Sequence, residues 1–249
     1  PDTQVVAYDD MGGMFAARLW WLLRWLGHTR VAVLDGGLQA WTSSGKPIDT
    51  AIPEPVACQF EAKLQRDMKV NADYVLSHLS DPEVLIIDAR APDRFRGENE
   101  TLDPVGGHIP GAINRFFQDN LDASGCFKQA ALLQEEFGKL IKGGDAHKVV
   151  AQCGSGVTAC HNLLAMEAAG LDGARLGRLA EFYARRLLAD ADGAVCRAVV
   201  EALESVEEVG FGEVVAVDLF GPGGDAGFVR VGDAVIEDAG EFEGLGDGG

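Results

Sequence analysis

The sequence predicts an α/β protein whose parallel sheets carry helices on both faces. Three observations support this: short β-branched runs, glycine-containing loops directly after them, and helical patterns after the loops, the whole layout occurring twice. Val5-Val6-Ala7-Tyr8-Asp9 aligns with Val149-Val150-Ala151-Gln152-Cys153 at an offset of 144. A helical pattern then runs from Phe15 to Leu26 before Gly27 in the first copy, and from Cys160 to Ala169 before Gly170 in the second. The first copy continues into an apolar run, Val31 to Leu34, then Asp35-Gly36-Gly37 and a short helix carrying Trp41. Strand, helix and strand in that order call for a right-handed crossover within a parallel sheet.

The other elements follow from local signals. Gly45 to Pro55 holds three prolines among polar neighbours and reads as a linker. Asn71 is an N-cap candidate for a helix over 72–79. Glu83 to Asp88 (EVLIID) is a buried strand, and a charged, glycine-containing loop spans Ala89 to Gly107. Ile109 to Asn114 leads into a short strand, Ala130 to Lys142 is an amphipathic helix, and Lys148 to Gln152 is the strand that feeds the second loop. From Ala174 the stretch ARLGRLAEFYARRLLADA reads as helix, in conflict with the strand that the repeat would require. Trp20, Trp21, Trp25 and Trp41 are expected in core and interdomain packing. The expected division is 1–47, the C-terminal part of a non-catalytic domain; 48–67, linker; 68–190, catalytic domain; and 191–249, a poorly ordered acidic tail.

Composition removes several function classes. The net charge of −18 is uneven: from Glu201 onward thirteen acidic residues face one basic residue, Arg230. The tail thus carries −12 of the total, and no cluster of Lys and Arg suggests nucleic acid as a partner. Arg18 and Arg24 interrupt the longest apolar stretch, which is too short and charged to cross a membrane. Five cysteines at irregular spacing (58, 126, 153, 160 and 196) point to free thiols in a reducing compartment, hence a cytoplasmic location. None is paired at the CxxC spacing of a zinc site, and neither a metal nor an organic cofactor is expected.

Cys153 carries the chemistry. Cysteine reacts as thiolate, and a free thiol near neutrality is only a few per cent ionised. In the loop behind it, the N–H groups of Gly154, Ser155, Gly156, Val157 and Thr158 can turn inward, and the next helix offers its partly positive N-terminus. The Ser155 and Thr158 hydroxyls can add donors. Such a ring suits a negative sulfur or an anion attached to it. A cysteine phosphatase uses a similar cradle but needs an arginine six positions after the nucleophile, where this chain has Ala159.

CGSGVTAC (153–160) resembles the active-site loop of the tandem-domain rhodanese-like sulfurtransferases, which act on thiosulfate or 3-mercaptopyruvate. IIDARAPDRFRGE (86–98), GHIPGAIN (107–114), VVAYDDMGG (5–13) and VLDGGLQAW (33–41) carry the same resemblance, over residues 1 to about 176. It implies an incomplete, catalytically silent first repeat, with Asp9 at the cysteine position, and a catalytic second repeat. Cys153 would take a sulfane sulfur as a persulfide and pass it to cyanide or a thiol acceptor, thioredoxin-like proteins included. Arg94 matches the family arginine that binds a small anionic donor, and Gly154-Ser155 is similar to the mercaptopyruvate type. A second donor-binding arginine has no counterpart between Glu98 and Val105, and the segment after about residue 176 departs from the family pattern. Opening at Pro1, the chain is expected to lack family residues that lie upstream.

Other side chains admit simpler readings. Arg94 could instead pair with Asp88 or Asp93. His108 reads as a structural hydrogen bonder, Cys160 as a small core residue and His161 as an exposed or capping side chain. Arg96 and Arg115 could either raise the potential over the pocket or be surface charges. A non-enzymatic alternative also stays open: an impaired fragment, or a persulfide-carrying interaction module.

Overall fold

In the first repeat, Val5–Tyr8 (β1) pairs in parallel with Val31–Val33 (β2), and the crossover between them is helix Met14–Trp25 (α1). A short helix, Gly37–Ser43 (α2), follows the Asp35-Gly36-Gly37 turn. The computed structural model describes residues 3–50, 60–101, 106–178, 215–218 and 227–230. Much of the expected linker therefore lies outside the described residues. The chain is followed again from Phe60, where Lys63 and Gln65 donate their N–H groups to the carbonyls of Leu26 and Trp25 at the end of α1.

The second repeat opens with helix Ala72–Ser77 (α3), whose cap is as expected: Asn71 Oδ1 accepts the Tyr74 N–H at 2.9 Å. Strand Leu85–Asp88 (β3), helix Pro92–Arg96 (α4), strand Ile113–Asn114 (β4) and helix Ala130–Ile141 (α5) come next. Strand Val149–Cys153 (β5), helix Val157–Ala168 (α6) and strand Arg175–Arg178 (β6) complete it. The sheet order is β4-β3-β5-β6, all parallel. Its centre, β5, is buried along its whole length, which is why it reads as a continuous apolar run.

The strand at 175–178 corrects the helical reading of this stretch: β6 stands 144 residues after β2, as the repeat requires. Gly177 and two arginines hid it. Only Leu176 supplies a core side chain, 1% exposed, and a Cβ on Gly177 would lie 2.8 Å from Val150 Cγ1. The glycine marks a close approach between strands rather than a helix. Residues beyond 178 in the expected helix lie outside the described residues.

In the acidic tail, Val215–Asp218 (β7) and Gly227–Arg230 (β8) are strands, where no regular structure was expected. β7 runs antiparallel to β1, and β8 antiparallel to β7, so that the first sheet has the order β2-β1-β7-β8.

The two repeats share one core. Ala17, Trp20, Trp21 and Val31 of the first lie in the same buried cluster as Ala89, Phe117, Cys153, Ala159, Cys160 and Leu163 of the second. Alanines and a cysteine where α1 meets α6 let the helices approach, while Trp20 and Trp21, 4% and 3% exposed, supply most of the apolar area. Losing either indole would cost about 3–5 kcal/mol. Arg24 and Glu167 close one end of the contact with an ion pair at 2.7 Å. Trp41 does not join this core: it is half-buried, donates to the Pro47 carbonyl at 2.9 Å and lies under the Lys46 ammonium.

Candidate active site

Cys153 is the last residue of β5, at the carboxyl edge of the sheet, and is 3% exposed. Open α/β sheets place ligand sites at this edge. Three residues on, Gly156 caps α6 with φ +89°, a left-handed conformation that costs glycine little and L side chains more. That turn brings the Gly156 N–H to 3.1 Å from Cys153 Sγ. The same glycine accepts the Cys160 thiol proton on its carbonyl at 3.1 Å. Gly156 is therefore gripped from both sides, and its grip sets the position of the sulfur. Val157, Thr158 and Ala159 begin α6, where first-turn N–H groups have no intrahelical acceptor. Gly154 and Ser155 lie between Cys153 and the Gly156 cap.

Cys160 is fully buried, as expected of a core residue, and burial pushes its thiol up to about 11. It also accepts a hydrogen bond at 3.7 Å from Arg18 Nη1, a side chain of the first repeat.

His161 differs from its expected exposed or capping role. It is fully buried, stacked on Phe127 with 4.5 Å between ring centroids and edge-on to Phe117. Its Nε2 lies 3.1 Å from the Gly12 carbonyl and its Nδ1 3.1 Å from Asn120 Nδ2. A carbonyl only accepts and an amide NH₂ only donates, so the ring is neutral with its proton on Nε2. Burial drives its pKa down to about 4. Asn120 also donates to Asn162 Oδ1 at 2.7 Å and accepts from Arg115 Nε at 3.0 Å. Sequence reasoning missed this network because helix periodicity assumes one solvent face. α6 is instead enclosed by α1, α5 and the sheet, and a polar His-Asn pair inside an otherwise apolar helix was the available signal.

Arg94 pairs with neither Asp88 nor Asp93 through its side chain. Its Nη2 and Nε bind Glu100 at 2.8 and 3.1 Å, and only its backbone N–H reaches Asp93. Asp88 is taken by Arg90, a buried arginine that also binds Glu100 and the Gly107 carbonyl. Glu100 thus joins two arginines in one network at the sheet's carboxyl edge. His108 is structural: its Nδ1–H donates to the Phe95 carbonyl at 2.8 Å, and its ring stacks on that of Phe95. Arg96 makes an exposed pair with Glu98, and Arg115 binds Glu136. Among the described residues, no group of His, Cys, Asp and Glu could hold a metal ion, and no helix is long and apolar enough to cross a membrane.

The first repeat contains the counterpart of the site. Asp9 follows β1 as Cys153 ends β5, and Gly13 caps α1 with φ +87° as Gly156 caps α6. Asp9 Oδ1 accepts the N–H groups of Met11 and Gly13 at 2.8 Å, and Oδ2 those of Phe15 and Ala16 at 2.9 Å. One copy of the cradle is closed by its own carboxylate; the other presents a sulfur.

A parallel strand pair in one sheet and a fully parallel second sheet, each with a central strand that leads through a left-handed glycine into a helix, define a duplicated α/β protein with an aspartate in one loop and a cysteine in the other. The rhodanese-like domain model matches residues 1–44 and 71–178, and the chain belongs to that family. It is 45% identical over 176 residues to the probable 3-mercaptopyruvate sulfurtransferase of Pseudomonas aeruginosa, a match covering 70% of this chain and 62% of the relative. To the thiosulfate sulfurtransferase of Gallus gallus it is 35% identical over 167 residues, covering 66% and 57%. The solved structure of SseA from Escherichia coli, described as a 3-mercaptopyruvate sulfotransferase, superposes with a TM-score of 0.58 at 32% identity over 69% of this chain and 64% of that one. The chain spans about three fifths of the length of these relatives.

Proposed function

We propose that the protein is a sulfurtransferase that moves a sulfane sulfur from 3-mercaptopyruvate or thiosulfate through a Cys153 persulfide. The observation that carries this reading is the Gly156 N–H aimed at Cys153 Sγ from the left-handed cap of α6. In the first half-reaction the Cys153 thiolate attacks the donor's outer sulfur. A new S–S bond forms as the donor's C–S or S–S bond breaks, and the electron pair leaves with pyruvate, after protonation, or with sulfite. In the second half-reaction cyanide or a thiol attacks the outer sulfur and Cys153 leaves as thiolate, giving ping-pong kinetics. The loop N–H groups stabilise the negative sulfur in both halves.

Arg94 is the donor-binding residue in this reading, with Glu100 fixing the orientation of its guanidinium. The cycle needs Cys153 as a free thiol at the start, which suits a reducing location such as the cytoplasm and a thioredoxin-like thiol as one acceptor class.

Mass spectrometry after incubation with either donor is expected to add one sulfur, about 32 Da, to the protein and none to Cys153→Ser. Arg94→Ala should still acquire the sulfur, with its KM for the donor raised about tenfold through loss of a charge-assisted contact. An adduct that persists in Cys153→Ser would overturn the assignment.

A further inference from the structure

We infer that the silent first repeat is a working part of the active site: its Asp9 loop, acting through the Gly12 carbonyl and His161, positions the first turn of α6 and hence the sulfur cradle. This rests on the proposed role of Cys153 and goes beyond it. The chain of contacts is continuous. Asp9 closes its loop with four N–H bonds of 2.8 and 2.9 Å, which fixes the peptide that carries the Gly12 carbonyl. That carbonyl receives the His161 Nε2 proton at 3.1 Å. Asn120 holds the opposite edge of the ring at 3.1 Å, Phe127 stacks on it and Phe117 meets it edge-on, so the imidazole has one orientation.

His161 lies five residues after Gly156, next to Cys160, whose thiol binds the Gly156 carbonyl while Arg18 of the first repeat reaches its sulfur. Two successive residues of α6 are thus tethered to the first repeat. Both tethers act beside the glycine whose N–H meets Cys153 Sγ. A shift of a few tenths of an ångström here would change that bond, because hydrogen bonds to sulfur and to developing charge depend steeply on placement. Retention of an ordered carboxylate-closed loop in a repeat without a nucleophile then has a physical reason. His161 and Asp9 are positioning residues; neither touches the reacting sulfur.

The test measures sulfur uptake by Cys153 in single turnover with 3-mercaptopyruvate and with thiosulfate. Alongside it, peptide mass spectrometry follows the rate of Cys153 alkylation by iodoacetamide at fixed pH. The full chain is used as wild type, His161→Leu, His161→Gln and Asp9→Asn, each at a temperature where its melt shows it folded. His161→Leu should lower the saturating rate of uptake about tenfold with half-saturation by the donor unchanged, about what one lost hydrogen bond at the site would do. Asp9→Asn should move the same quantity in the same direction. His161→Gln, able to donate to the Gly12 carbonyl, should recover most of the loss. Folded His161→Leu with wild-type uptake and alkylation overturns the inference, as does His161→Gln performing no better than His161→Leu. If wild type takes up no sulfur from either donor, the sulfurtransferase reading fails, while the alkylation rates still decide whether the first repeat positions Cys153.

Discussion

The Asp9 and Cys153 loops are two solutions to one backbone problem. Each leaves a central strand, turns through a left-handed glycine and enters a twelve-residue helix whose first N–H groups need acceptors. In the first loop a carboxylate accepts two of those donors, Phe15 and Ala16, together with the N–H groups of Met11 and the cap Gly13, and completes a cap. In the second, a larger and more weakly accepting sulfur meets one N–H at 3.1 Å, and in the proposed reaction the donors at the helix start serve the negative sulfur. Three residues separate Asp9 from its cap, against two between Cys153 and Gly156, enough for both carboxylate oxygens to be used. Stability is spent on the first loop and reactivity on the second.

The comparison is broken most directly at Asp9. Asp9→Ala removes a charged acceptor from four N–H groups and should cost about 3 kcal/mol, in the range for hydrogen bonds to charged groups combined with loss of a helix cap. For a chain of this size that lowers Tm by on the order of 8 °C, read by calorimetry. Cys153→Ala, with a single long bond to lose, should move Tm by less than a quarter of that. Equal shifts would mean that the two cradles bear the same load.

How much of this was legible in the sequence follows from what each signal depends on. β1, β5, α1, α5 and the Asn71 cap were legible because periodicity and capping are local. The place of Cys153 between strand and helix was legible because an apolar run, a glycine-containing loop and a helical pattern follow one another, and CGSGVTAC carried the family resemblance. β6 was not, since Gly177 has no side chain and gains its place only from the close approach of Val150. His161 was not, because its partners, Gly12 and Asn120, are 149 and 41 residues away. Glu100 as a partner of Arg94 was hidden by the adjacent Asp93 and by Asp88, which is equally near in sequence and which Arg90 occupies.

The link between the loops sharpens at acid pH. His161 titrates near 6.5 when unfolded and about 4 when folded, chiefly because it is buried; the Gly12 carbonyl and Asp9 oppose that shift without overcoming it. Below pH 6.5 the unfolded chain takes up a proton that the folded one refuses, so stability falls as pH drops toward 4 and levels off there. The loss is roughly 2–3 kcal/mol. His161→Gln should flatten this part of the stability-versus-pH curve measured by urea unfolding. An unchanged slope would mean that another group carries it.

The smallest expected effect lies beside the nucleophile. Tyr8 and Gln152 hold equivalent positions in the two central strands, but Gln152 is 1% exposed and neither end of its amide has a partner among the described residues. A buried unpaired amide is destabilising, and replacing it with an apolar group of like shape removes the penalty. Gln152→Met should therefore raise stability by about 1 kcal/mol, seen as a higher midpoint in urea at unchanged slope. Cys153 and Gln152 point to opposite faces of β5, so sulfur uptake by Cys153 should stay at the wild-type rate. A gain in stability paired with a fall in uptake would place the Gln152 amide in the reaction rather than in the core.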